Sequence, residues 1–123
     1  MRVSWSISID AAFELSSYDS IVFVHGWNGG IERTWQSGKV LWPKDFLPKD
    51  FTTARVLAFG YQSPSIDKAR LGSVNQVADD LLRSLVRKRT GHALSRPIIW
   101  VAHSLGGLVV KSVRQRLMVY DFF

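Results

Sequence analysis

The chain has 123 residues, of which 46% are hydrophobic and 21% charged, including five Trp and seven Phe; that length fits one domain, and that composition excludes a disordered chain. It contains no cysteine, which excludes disulfides and thiolate metal sites and fits a reducing compartment. The net charge of +6, from 16 Lys and Arg against 10 Asp and Glu, favours anionic partners.

Taken from its start, the chain has one Arg, then Asp10 and Glu14, with no continuous apolar stretch between them. It does not read as a signal or transit peptide, and no apolar run further on approaches the ~18 residues needed to span a bilayer. The expectation is an intracellular, cytoplasmic protein without a transmembrane segment. "VSWSISI", at 3–9, alternates polar and apolar residues and predicts an edge strand.

"SIVFVHG", at 20–26, is a short apolar run rich in β-branched residues and ended by Gly, as expected of a buried strand. "ARVLAFGY" at 54–61 and "RPIIWVAH" at 96–103 repeat that character, the latter opened by Pro97 where a missing N–H is tolerated. Continuous apolar runs of this kind predict strands covered on both faces, as in parallel sheets. Between the second and third runs, Val74, Val77, Leu81, Leu82, Leu85 and Val86 recur at the spacing of one helical face. Ser73 and Gln76 match a capping box, and Gly91 supplies a stop. Residues 105–119 predict a further helix packed on the sheet.

Asp79, Asp80, Arg83 and Arg87 fall on or near the polar side of the first helix. Adjacent carboxylates on a helix point ~100° apart, so solvated charges are expected there rather than an acid/base pair or metal site. Arg87, Lys88 and Arg89 complement the helix dipole at its C-terminal end. No nucleic-acid motif accompanies the basic charge, and no residue set points to a cofactor or metal.

Strands alternating with helices predict an α/β layer architecture, with chemistry at the C-terminal ends of parallel strands. Two of those ends carry unusual residues. In "WVAHSLGG" Ser104 follows a strand and heads a helix, flanked at two residues on either side by the small Ala102 and Gly106. This is the nucleophile-elbow pattern, with Ala in place of the usual first Gly. Gly107 permits close helix–strand packing. The N–H of Leu105 at the helix start forms half of an oxyanion hole. In "FVHGWNGG" Gly26 lets the chain turn and the N–H of Trp27 supplies the other half.

The order "IVFVHGWNGG…RTWQ…LWPKDFLPKDF…ARVLAFGYQS…VADDLL…RPIIWVAHSLGGLVVK" resembles the α/β-hydrolase domain of the serine active site-containing proteins. These are lipase-like serine esterases, also found as N-terminal domains of fungal NACHT- and repeat-bearing proteins. The likeness covers about residues 20–113, with "WPKDFLP" and "IIWVAHSLGGLVVK" its most specific parts. It implies an α/β-hydrolase fold, hydrolysis of carboxylic esters with lipids or phospholipids as substrates, and association with mitochondria or endoplasmic reticulum. It also implies that Ser104 is the nucleophile.

Such hydrolases place their partners in chain order Ser, Asp or Glu, then His. After Ser104 the sequence has no His, and Asp121 is its one carboxylate. Of the earlier histidines, His103 adjoins Ser104 at a position whose side chain points elsewhere in the family. His92 lies at the far end of its strand, about 20 Å away. His25 is at the correct sheet end and is the one geometric candidate for a base. Asp67 lies in a loop on that side with no His to orient. The expectation is therefore one incomplete domain, 1–123: a partial α/β-hydrolase fold with about three parallel strands, later strands missing, and no triad acid or histidine. An exposed sheet edge would then favour self-association. The competing reading is a non-catalytic binding or interaction module derived from the same fold.

Overall fold

The structure is a computed structural model that describes residues 4–5, 20–52, 54–63, 71–89 and 97–120. Strands β1 (Ser4–Trp5) and β2 (Ser20–Val24) are followed by a small hairpin, β3 (Gln36–Ser37) and β4 (Val40–Leu41). Two single-turn helices, α1 (Trp42–Asp45) and α2 (Leu47–Asp50), lead into β5 (Arg55–Gly60). Helix α3 (Leu71–Lys88), strand β6 (Ile98–Ala102) and helix α4 (Leu105–Tyr120) complete the order. The main sheet runs β1-β5-β2-β6. β5 and β6 lie parallel to β2 on its two sides, and β1 pairs antiparallel with β5. Three parallel strands flanked by helices make this a partial α/β fold, as the sequence predicts.

Alternation within the strands sorts side chains onto two faces. Val22, Val24, Leu57 and Phe59 meet Val74, Val77, Leu81 and Leu85 of α3 and Val109 and Val113 of α4. On the other face Ile21, Phe23, Val56 and Ala58 meet Trp35, with Leu41, Trp42 and Leu47 packed around them. Phe23 lies edge-on to both Trp35 and Trp42, at centroid distances of 5.0 and 5.2 Å. Burying each such aromatic side chain stabilises by about 1.5–3 kcal/mol. This second layer, built from the hairpin and two short helices, has no periodic sequence signal.

Several local expectations change. Ser73 lies inside α3, so it is not an N-cap, and Gln76 instead donates to Asp80, 3.3 Å away. Val86 is 60% exposed, because it falls beyond the stripe that the sheet and α4 cover. Asp79 is not simply solvated: the Arg116 Nε of α4 lies 2.9 Å from its carboxylate. Arg89 is 8% exposed rather than part of a solvated cluster, while Arg55 donates to the Lys88 carbonyl at the C-terminal end of α3. β6 is only partly covered, with Ile99 48% exposed at the sheet edge. The edge strand expected at 3–9 is seen at Ser4–Trp5, and its remainder lies outside the described residues, as do Asp67, Gly91, His92 and Asp121. Among the described residues no helix is long and apolar enough to cross a membrane.

Candidate functional site

The register sets the site. Val24 is level with Phe59 on one side and with Ala102 on the other, so the three parallel strands end together. The segments 25–28, 61–63 and 103–106 therefore leave the sheet together at the C-terminal end of its parallel strands. Parallel strand ends of this kind gather ligands and reacting groups.

Ser104 is exposed and adopts φ +54°. A non-glycine residue in this left-handed region costs about 1–2 kcal/mol. Among the described residues the one other non-glycine with positive φ is Asn28, at +53°, in the neighbouring loop. Helix α4 begins directly after Ser104. The N–H of Gly106 donates to the His103 carbonyl and that of Gly107 to the Ser104 carbonyl, both at 2.9 Å. The N–H of Leu105, first in the helix, has no intrahelical acceptor by construction.

Close packing holds the turn. A Cβ on Gly106 would lie 2.3 Å from the Val24 carbonyl oxygen and 2.6 Å from that of His25. A Cβ on Gly26 would lie 2.6 Å from the His103 oxygen and 2.7 Å from the Ser104 Cβ. Both positions require glycine because backbone approaches backbone, not because of their φ. Ala102 is exposed, and the atoms nearest Gly106 are the carbonyls of Val24 at the end of β2 and of His25 just after it. One expectation, for Gly107, is corrected: it has open space around it rather than close strand packing. The left-handed residue of the 25–28 loop is Asn28.

His25, expected as the candidate base, is 1% exposed. Its Nδ1 donates to the Gly26 carbonyl at 2.9 Å, and its Nε2 accepts the Tyr61 N–H at 3.3 Å. Those partners assign the neutral Nδ1–H tautomer. Burial pushes its pKa below the ordinary value, opposed by the backbone contacts to Gly26 and Tyr61 and helped by the positive charge of Arg33. Both ring nitrogens are engaged, which argues against a proton-accepting role toward Ser104. Trp27 places its side chain 45% exposed at the mouth of the site. The His103 ring lies edge-on to Trp35 at 6.4 Å.

Sequence reasoning passed over Tyr61 and Ser63. The Tyr61 ring stacks on His25 at 4.2 Å and its hydroxyl donates to the His25 carbonyl at 2.7 Å, while Ser63 Oγ accepts the Asn28 N–H at 2.7 Å. The available signal was a polar pair at a strand exit, "GYQS", on the active side of the sheet.

No family model matches the chain. No solved structure matches it either. Among curated proteins the chain is similar to protein SERAC1 of Homo sapiens, 29% identical over 115 residues that cover 76% of the chain. It is likewise similar to protein SERAC1 of Bos taurus, 30% identical over 115 residues, and of Danio rerio, 31% identical over 117. The chain spans 17% of the length of each of these relatives.

Proposed function

We propose that this C-terminal end of the parallel strands is a serine ester hydrolase-like site, in a domain related to part of protein SERAC1. Ser104 is its nucleophile, and the N–H groups of Leu105 and Trp27 are its oxyanion donors. The observation that carries the reading is the left-handed Ser104, exposed between β6 and α4, with Gly26 close against its Cβ and Gly106 close against the Val24 and His25 carbonyls. Such a turn lifts a hydroxyl clear of the sheet and sets it beside a helix N-terminus. Amide N–H groups there stabilise the oxyanion that forms when the hydroxyl attacks an ester carbonyl. The resemblance of the motifs adds carboxylic esters, lipids among them, as the substrate class.

A serine hydroxyl needs a base within hydrogen-bond reach. Because the ring nitrogens of His25 are engaged with Gly26 and Tyr61, we assign the base to none of the described residues. That observation favours a second reading, in which the scaffold binds an ester or a partner chain without turning it over. Labelling the purified chain with an alkyl fluorophosphonate, beside Ser104→Ala, separates the two. Labelling that vanishes in the variant is expected of an activated Ser104. A folded sample that stays unlabelled leaves the binding reading. Self-association through the β6 edge is part of the proposal, supported by the exposed Ile99.

A further inference from the structure

We infer that Tyr61 and Ser63, at the exit of β5, are positioning residues that fix the direction of the Trp27 N–H; the inference rests on the oxyanion role proposed above. The 25–28 loop is held at both ends by this one segment. At its start, Tyr61 makes three contacts with His25. Its hydroxyl donates to the His25 carbonyl at 2.7 Å, its N–H donates to Nε2 at 3.3 Å, and the two rings stack 4.2 Å apart within 8° of parallel. At the loop's end, the Asn28 N–H donates to Ser63 Oγ at 2.7 Å. Gly26 and Trp27 lie between these anchors.

The peptide unit joining Gly26 to Trp27 is planar, so its carbonyl and its N–H point in opposite directions. The Gly26 carbonyl accepts two hydrogen bonds, from His25 Nδ1 at 2.9 Å and from the Gly29 N–H at 3.1 Å. Fixing that oxygen fixes the Trp27 N–H on the opposite side. The His25 bond exists because Nδ1 carries the proton. It does so because the Tyr61 N–H, a donor, requires Nε2 to be an acceptor. The sequence of causes therefore runs from the Tyr61 backbone to the His25 tautomer, then to the Gly26 carbonyl and the Trp27 N–H. The Tyr61 hydroxyl and ring hold the imidazole and its carbonyl in register, and Ser63 prevents the far side of the loop from turning. Burial pushes the Tyr61 phenol up to about 12, so it remains a donor across the working range of pH.

Residual dipolar couplings of backbone N–H groups test this directly, on the chain and on Tyr61→Phe, Ser63→Ala and Ser63→Thr. Tyr61→Phe keeps the backbone N–H and with it the His25 tautomer, and removes only the hydroxyl that holds the His25 carbonyl. The expected result is that loss of that anchor, and of the Asn28 anchor in Ser63→Ala, changes or averages the Trp27 coupling while couplings in β2, β5 and α4, including Leu105, stay as they are. Ser63→Thr, which keeps the hydroxyl, restores the Trp27 coupling. Fluorophosphonate labelling of Ser104 falls at least ~10-fold in the first two variants and recovers in the third, the ceiling being the ~10²–10³ that complete loss of one oxyanion donor costs. A Trp27 coupling unchanged in both Tyr61→Phe and Ser63→Ala overturns the inference, whatever the labelling does. Coupling changes in those two variants, together with no Ser104-dependent labelling of the wild-type chain, remove the nucleophile reading instead and leave the positioning intact.

Discussion

His25 illustrates how one buried residue becomes a structural fixture. Its imidazole is removed from water, both nitrogens are engaged, and its ring is covered by Tyr61. The sign of its pH effect follows. Burial lowers its folded pKa below the ordinary 6.5, so below that pH the unfolded chain binds the extra proton more readily than the folded one. The stability contributed by neutral His25 is thus fully present above about 6.5 and is lost as pH falls through and below that value. Urea titrations between about pH 5 and 8 should show stability falling toward acid in the wild type, and a flatter profile in His25→Gln. A wild type that gains stability toward pH 5 relative to that variant contradicts the assigned state. Protonation would also set Nε2–H against the Tyr61 N–H, two donors facing each other, so acid should loosen the loop as well as the fold.

The pairing of α3 with α4 decides where Ser104 sits, because Ser104 is joined directly to the start of α4. Their contact has an apolar part, with Val77, Leu81 and Leu85 of α3 and Val109 and Val113 of α4 in one core. It also has a polar seam. Arg116 reaches Asp79 at 2.9 Å, donates to the Ser112 carbonyl at 3.2 Å and contacts the Ser112 hydroxyl, which donates to Asn75 at 2.9 Å. The apolar part dominates. Truncating a buried leucine typically costs about 2–5 kcal/mol, whereas an ion pair open to solvent contributes about 0–1 kcal/mol. With the Asp79 side chain 41% exposed, a double-mutant cycle of Asp79→Asn and Arg116→Gln should give a coupling below about 1 kcal/mol, smaller still in high salt. A coupling of several kcal/mol that ignores salt would show the seam to be the stronger tie.

At the scale of the molecule, β2 is covered on both faces and both edges, and β6 is not. Ile99 on that strand, and Val86 and Met118 on the helices, leave apolar surface exposed among the described residues. A cavity of about 450 Å³ lined by Leu82, Arg83, Val86 and Leu117 opens between α3 and α4. An exposed strand with apolar side chains is a template for pairing with another chain. Sedimentation velocity over a concentration series should show reversible self-association, and Ile99→Lys should suppress it by placing a charge on the contact. A sedimentation coefficient that stays monomeric at every concentration removes the proposal.

The strands β2, β5 and β6, the two long helices and the Ser104 turn were legible in the sequence, because each rests on a local rule. β-branched apolar runs end at glycine, an apolar stripe recurs at helical spacing, and small residues flank a serine. These rules act over a few residues and need no knowledge of the partner. The tertiary structure alone decided the rest. Spacing singled out Gly106, but what makes it indispensable is the Val24 carbonyl of another strand approaching within contact, a partner that spacing does not name. Val86 obeys the helical period and is still exposed, because burial depends on which neighbours are present to cover it. His25 looks like a base in the chain and is fixed as a neutral ring in the fold, because Tyr61 and Gly26 reach its two nitrogens from different directions in space. Local chemistry set the elements; distant approach set the protonation, the clearances and the direction of the groups at the site.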